Sequence, residues 1–257
     1  MRTALVRRTV LTASAVSLAV LATACGSDKG DTKADAKPSA GAAAASAAPA
    51  AKAKTDAELG GLIVAQADLP DHQFKAATPA EATAGAGATS DMPACLPLVN
   101  AQSMTPFGKA GGVARTKVVG KPKEPAADAS PEEKMKAAMD ALGTTATAVT
   151  LASYDGKGAE EAFAGLKAAG TACAGGYTAT QGGEAGKITK VAAGTAVTAG
   201  DEALAYTVEG DADGEKFTTQ LVVVRKGNTL ATFSALSLTG TAEQPKAVID
   251  AQAKKLG

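Results

Sequence analysis

Two tight turns near the C-terminal end of the chain constrain its fold more than any other feature. Asp213-Gly214 and Gly227-Asn228 are two-residue hairpin signals between stretches in which apolar residues recur. Gly227 is expected to take the positive φ that such a turn requires. Turns of this length set the register of the three strands, with these pairs facing each other: Val208 and Thr219, Tyr206 and Leu221, Leu204 and Val223, Val222 and Phe233, Val224 and Ala231. Phe217 to Arg225 is apolar on both faces near its end, which predicts a strand in the middle of a sheet.

Helices and further strands precede this meander. Helical spacing and end signals predict helices from Asp56 to about Asp68-Leu69-Pro70, from Cys95, from Pro131 to Leu142, from Ala159 to Cys173 and from Pro245 to Leu256. Ser130 and Glu133 form a capping box around Pro131, and Gly143 is expected to end that helix. Residues 113–119, 144–153, 177–180 and 188–192 read as strands, while 76–90 and 121–129 read as loops. Helices combined with an antiparallel meander predict an α+β domain.

The N-terminal residues have the layout of an export signal. Arg2, Arg7 and Arg8 precede an apolar run from Val10 to Ala24, which is too short to span a bilayer comfortably. Cys25 follows small residues and resembles the cysteine at which bacterial lipoproteins are cut and acylated. Ala22-Thr23-Ala24 also fits ordinary cleavage of a soluble secreted protein, and Arg7-Arg8 leaves a twin-arginine signal open beside a plain basic segment. We predict residues 1–24 as signal peptide and Cys25 as the lipidated residue.

A low-complexity segment follows the predicted signal peptide. Residues 26–54 contain no aliphatic side chain larger than alanine, so they cannot bury enough surface to offset the entropy of ordering. We predict residues 25–54 as the lipidated cysteine with a flexible tether, although an alanine-rich helix from Gly41 to Ala53 is an alternative. The remaining residues, 55–257, suit a single globular domain.

Cys95 and Cys173 are the other two cysteines. If Cys25 carries lipid, they form an even pair in an exported protein, where disulfides persist. The bridge would close a loop of about 79 residues, which is worth about 4.5 kcal/mol in the loop-entropy model. A pair of free thiols or a redox pair is the alternative, but the C-x-x-C spacing of redox pairs is absent.

Composition and motifs point away from several functions. The chain carries 26 basic and 26 acidic residues, and loss of the leader's three arginines would leave a net charge of about −3. This charge offers no footprint for nucleic acid. The chain has no tryptophan, which speaks against a glycan-binding role, and no cluster of Cys and His has the spacing of zinc ligands. We therefore predict no cofactor and no metal.

His72 is the only histidine, and we predict that it lies in an exposed loop rather than acting as a catalytic base. Glu209, Asp211 and Asp213 resemble the first half of a calcium loop, but Gln220 stands where a bidentate carboxylate is needed, so a solvated hairpin tip is the preferred interpretation. The paired carboxylates at 132–133, 160–161 and 201–202 are interpreted as solvated surface. No catalytic residue is predicted.

Several short segments together resemble the PknH-like sensor-domain family, which includes extracytoplasmic domains of bacterial Ser/Thr kinases and many free lipoproteins. The segments are Ala67-Asp68-Leu69-Pro70, Cys95-Leu96-Pro97-Leu98, 149–154 with the following helix and Cys173, 200–203 and 222–228. The resemblance implies a twisted antiparallel sheet with helices packed on it, a central cleft, and ligand sensing or binding rather than catalysis. The chain departs from the family in allowing one disulfide where two are common, and in lacking an aromatic residue just before Cys173.

We therefore expect a non-enzymatic surface lipoprotein on the extracytoplasmic face of the cell membrane, anchored through a diacylglyceryl group. Its domain would bind a small ligand or a protein partner. The alternatives are a lipid or amphiphile carrier, which would need a large apolar cavity behind the sheet, and a hydrolase with an unrecognised site, which turnover that is lost on His72→Ala would indicate.

Overall fold

Nine strands and six helices build the part of the chain that the computed structural model describes, which comprises residues 51–121, 124–142, 144–212, 214–237 and 241–257. These residues belong to one compact unit, Ala48–Gly257. The strands are β1 His72–Ala76, β2 Thr89–Ser90, β3 Gly112–Gly120, β4 Ala146–Ser153, β5 Tyr177–Gln181, β6 Glu184–Ala193, β7 Glu202–Ala212, β8 Glu215–Lys226 and β9 Thr229–Leu236. The helices are α1 Asp56–Leu62, α2 Pro79–Thr83, α3 Leu96–Gln102, α4 Pro131–Leu142, α5 Gly158–Ala172 and α6 Lys246–Leu256.

The strands form a single antiparallel sheet in the order β1-β3-β4-β9-β8-β7-β6-β5-β2. Every pair predicted for the C-terminal meander is present in the predicted register. β8 is the central strand, and Gly227 has a φ of 56°, as its turn position requires. The α+β class and the antiparallel sheet are therefore confirmed.

Helices cover both faces of the sheet. On the face that we name the disulfide face, α3 and α5 pack over β6, β7 and β8, with Leu98, Leu166 and Val208 in the core. On the opposite face, α1 and α6 pack over β4, β8 and β9, with Leu59, Ile249 and Phe233 in the core. The alternation of side chains along β8 explains how one strand serves both cores, since Leu221 and Val223 face one layer and Val222 and Val224 the other.

The predicted disulfide joins Cys95, just before α3, to Cys173, at the C-terminal end of α5, with 5.9 Å between the Cα atoms. Both cysteines are fully buried in the core of the disulfide face. The bridge thus ties the start of α3 to the end of the longest helix described.

Helix α1 is shorter than its sequence pattern predicts. It ends at Leu62 instead of continuing to Asp68. The side chain of Gln252 on α6 binds backbone groups at this point that a longer helix would pair internally. The Gln252 side chain accepts a hydrogen bond from the Val64 amide at 2.9 Å and donates one to the Leu62 carbonyl at 3.0 Å. Both groups would otherwise need partners within a longer helix.

Two segments predicted as irregular contain regular structure. Within 76–90, Thr78 and Glu81 form a capping box that starts the short helix α2, and Thr89–Ser90 pair with β5. His72 lies on β1, opposite Gly120 of β3, and is half-buried. The prediction of an exposed loop histidine was therefore wrong: pairing with β3, which no local pattern announces, makes this segment a strand. At α4, by contrast, the predicted capping box of Ser130 and Glu133 is present.

The docked segment, Ala51–Lys54, belongs to the predicted tether but hydrogen-bonds to the sheet. The Ala53 amide donates to Asp155 at 2.8 Å, and the Lys54 amide donates to Ser153 Oγ at 3.0 Å. Asn228, in the β8–β9 turn, donates to the Lys52 carbonyl at 2.8 Å. These contacts lie at the C-terminal ends of the inner strands β4 and β8. We name this end of the sheet the tether end.

Candidate functional site

A groove opens on the disulfide face, at the end of the sheet where β8 begins and β9 ends. This end lies opposite the tether end. Its two lobes, of about 890 and 500 Å³, share Gln102, Ser103, Gln181, Ala212 and Phe217. The tips of the β5–β6 and β7–β8 hairpins and the end of β9 surround it, and α2 and α3 form its other wall. β8 runs from this groove end to the tether end and, at twelve residues, spans roughly 40 Å at about 3.3 Å per residue.

The described lining consists mostly of apolar surface and uncharged polar side chains, with three charged residues, Glu184, Glu215 and Lys216. The apolar part is built mainly from small residues and contains the following larger ones: Val99, Ile188, Phe217 and Leu236. The polar part comprises the following hydroxyl and carboxamide groups: Gln102, Ser103, Tyr177, Gln181, Thr219, Ser234 and Ser237. Such a mixture is typical of pockets that bind small molecules and orient them by a few polar contacts.

Two hydrogen-bonded pairs hold the polar groups in place. Gln102 Nε2 donates to the Tyr177 hydroxyl at 3.3 Å and to the Leu98 carbonyl at 3.2 Å. Ser103 Oγ lies 2.7 Å from the Val99 carbonyl and 2.8 Å from Gln181 Oε1. Burial raises the pKa of Tyr177 to about 12, against the smaller, opposing effect of the hydrogen bond from Gln102, so the hydroxyl keeps its proton at neutral pH.

Phe217 lies at the junction of the two lobes and its ring is held against a glycine. It pairs across the strands with Gly210, and a Cβ atom added at Gly210 would overlap the ring. The Phe217 ring therefore occupies space that is free only because residue 210 has no side chain. No local sequence pattern marks Gln102, Ser103, Gln181 or Phe217 as members of one site, because α3, β5 and β8 meet only in the folded domain.

His72 does not belong to the groove. It lines a different cavity of about 560 Å³ on the opposite face, together with threonines 144, 145, 147 and 241 and the start of α6. Its Nδ1 atom is buried and has no hydrogen-bond partner among the described residues. A histidine that acts as a general base needs an oriented partner and a nearby nucleophile, and His72 Nδ1 has no such orienting contact within the described part.

The acidic pair Asp201 and Glu202 forms ion pairs and a backbone hydrogen bond at the β8–β9 turn. Asp201 and Glu202 contact Arg225 at 3.4 and 2.7 Å, and Asp201 also accepts the Gly227 amide at 2.7 Å. That last bond, more than the neighbouring Lys226 and Arg225, lowers the pKa of Asp201.

The segment that resembles a calcium loop forms the β7–β8 hairpin. Asp211 accepts the Gly214 amide at 2.7 Å, and Gln220 accepts the Thr207 hydroxyl at 3.1 Å. Asp213 lies outside the described residues. Within the ranges given above, no three His, Cys, Asp or Glu side chains come together as a possible metal site.

Cys25, the predicted signal peptide and most of the predicted tether lie outside the described residues. Gly143, predicted to end α4, lies outside them as well. Among the helices that are described, none combines the length and the apolar character needed to cross a bilayer.

Solved structures include chains that are similar to this one, among them an extracellular domain. No protein-family profile and no curated protein matches the chain. The crystal structure of the extracellular domain of PknH from Mycobacterium tuberculosis is similar, with a TM-score of 0.47 and 11% identity over 80% of this chain and 97% of that one. A TM-score below 0.5 establishes neither a shared fold nor a shared function, so membership of the PknH-like family remains a prediction.

Proposed function

We propose that this protein is a non-enzymatic extracytoplasmic lipoprotein that binds a ligand in the groove of its single globular domain. The observation that carries the proposal is the groove itself, which combines an apolar wall with polar groups that other residues already hold in position. Preorganised polar groups in a concave site lower the cost of ordering a complex. None of the described lining residues is a histidine or a cysteine.

The positions of the docked segment and the groove, at opposite ends of the strands, support an anchored arrangement. The docked segment lies at one end of the strands, and the groove opens at the other end. A domain held through its N-terminal segment would thus present its groove on the side away from the attachment. The disulfide supports an extracytoplasmic location, because such bonds persist outside the cytoplasm.

Binding can be tested with the protein labelled at alanine and isoleucine methyl groups and titrated with a library of small fragments. We expect NMR shifts at Ile188 and Ala179, which line the groove, and none at Ala231 in the core of the opposite face. Shifts confined to other sites, or no shifts at all, would refute the proposal.

A groove-filling variant has a matched control. A Cβ atom at Gly186 or at Gly61 would meet nothing within 4 Å, but only Gly186 lines the groove. Gly186→Phe should therefore abolish fragment binding, whereas Gly61→Phe, on α1, should leave it unchanged.

The anchor needs its own experiment. In the native host, the protein should fractionate with membranes and carry an acyl mass on Cys25, and Cys25→Ala should release it into the soluble exported fraction. A mature protein without an acyl group on its first residue would contradict the anchor while leaving the binding proposal intact.

A further inference from the structure

We propose that the ligand of the groove is an uncharged carbohydrate. This inference depends on the proposed binding function and adds the chemical class of the ligand. Three properties of the groove point to it: the charge of its lining, the kind of hydrogen-bonding groups it offers, and the ring at its centre.

The charge of the lining excludes a role in binding phosphate or carboxylate groups. Among the described residues, the charged ones that line the two lobes are Glu184, Glu215 and Lys216. All three are exposed on the tips of the β5–β6 and β7–β8 hairpins, and their sum is negative. Proteins bind anionic groups through arginine, lysine or clustered backbone amides that neutralise the charge, and a single exposed lysine between carboxylates does not meet that requirement.

The polar groups of the groove both donate and accept hydrogen bonds, as the hydroxyl groups of a sugar do. Tyr177 accepts from Gln102, so its own hydroxyl hydrogen can be donated to a ligand, and Gln102 Oε1 can accept. Ser103 has one hydroxyl hydrogen and two acceptors within 2.8 Å. The carboxamide of Gln181 can therefore bond to Ser103 through either end and present the other end to the groove.

The ring of Phe217 supplies a flat apolar surface between these groups. It lines both lobes, and its outer atoms occupy the space that a side chain at Gly210 would fill, so the sheet provides a place for the ring beside the groove. The faces of aromatic rings carry partial negative charge, which favours contact with the polarised C–H groups on the flat side of a sugar ring. The absence of tryptophan argued against a glycan-binding role, but a phenylalanine beside neutral donors and acceptors provides the same kind of apolar contact.

An uncharged peptide is the competing occupant, and the lining favours it less. A peptide backbone needs donors and acceptors at regular spacing, which exposed strand edges usually supply. In the described groove the polar contacts come instead from side chains with both capacities, held by α3 and β5.

The test titrates the methyl-labelled full chain, solubilised in a detergent without a sugar headgroup, with defined probes. The probes are neutral di- to tetrasaccharides of glucose, mannose, galactose and arabinose, the corresponding uronic acids and sugar phosphates, and capped tetrapeptides of alanine, serine and proline. We expect at least one neutral saccharide to shift the methyl groups of Ile188 and Ala179, and to bind at least tenfold more tightly than its charged counterpart and the peptides.

Variants separate the ring and the amide from general loss of structure. Phe217→Ala should weaken saccharide binding at least tenfold, and Gly210→Ala, which displaces the ring without removing it, should weaken it as well. Gln181→Ala should weaken it at least threefold. Gln220→Ala, which removes a glutamine from the opposite face of the sheet, should leave saccharide binding and the methyl signals of Ile188 and Ala179 unchanged.

Each outcome decides one of the two proposals. If small fragments bind in the groove while no neutral saccharide does, or if peptides or charged sugars bind more tightly, the carbohydrate inference fails and the binding function stands. If no probe or fragment shifts the groove methyl groups, both fail. If Gly210→Ala binds as well as the unaltered protein and its spectrum shows that the ring has moved, Phe217 is not the platform and the inference fails.

Discussion

Gln252 offers the sharpest test of how the two terminal parts of the domain stabilise each other. Its side chain is fully buried on α6 and bonds to the carbonyl of Leu62, the last residue of α1, and to the Val64 amide just beyond it. Gln252→Leu keeps a side chain of similar volume and removes both hydrogen bonds. The two backbone groups are then left in the core without partners.

The expected loss follows from those two groups. A buried backbone group without a partner costs about 1–3 kcal/mol, and the greater apolar burial of leucine offsets about 1 kcal/mol of the total. The cost of two such groups, reduced by that offset, gives an expected fall in the free energy of unfolding of about 1–5 kcal/mol. Because the chain has no tryptophan, urea unfolding is best followed by far-UV circular dichroism with the disulfide intact. The slope of the free energy of unfolding against urea concentration should stay unchanged.

Lys254→Leu is the matched control, since Lys254 lies on the exposed side of the same helix. It should change the free energy of unfolding by less than about 0.5 kcal/mol. Hydrogen exchange adds a local readout, because the Val64 amide should exchange faster in Gln252→Leu. A loss equal to that of Lys254→Leu, or an unchanged Val64 amide, would show that Gln252 does not stabilise the end of α1.

Three further predictions concern the disulfide, an ion pair and the docked segment. Replacing Cys95 and Cys173 together by alanine should lower the free energy of unfolding by about 4.5 kcal/mol, by the loop-entropy model, and urea unfolding would contradict this if the change were below about 1 kcal/mol. The hydrogen bond from Lys117, together with those of the capping box, lowers the pKa of Glu81 from 4.5 to about 2. Glu81 therefore stabilises the fold above about pH 4.5, and the difference in melting temperature between the protein and Glu81→Gln should shrink as pH falls from 4.5 towards 2; a difference independent of pH would refute the ion pair. Asn228→Ala removes the bonds to the Lys52 carbonyl and to the Lys54 ammonium group, so the Ala53 amide should exchange faster with solvent while amides of α5 keep their protection.

The parts of the fold that depend on neighbouring residues were predictable. The meander register follows from two short turns, which leave only one pairing between their flanking strands. The helix start at Ser130 follows from a capping box within four residues, and the same local signal at Thr78 and Glu81 starts α2 within the segment predicted as a loop. The disulfide partners could be chosen because only two cysteines remained after Cys25.

The groove could not be predicted in this way. Gln102 and Tyr177 are 75 residues apart, and they meet because the disulfide and the core of α3 and α5 bring the end of α3 against β5. Gly210 and Phe217 are paired by a predictable hairpin, yet only the packing of α3 above them turns that pair into the floor of a site.

The sequence by itself determined the class of the domain and the order of its central strands, because turn length, capping and alternation act over a few residues. The tertiary structure decided where α1 ends, that His72 joins a strand, how residues 51–54 attach to the sheet, and which neutral side chains share a groove. Those features depend on partners up to 190 residues away in sequence, and a buried backbone or side-chain group finds such a partner only when the layers have packed.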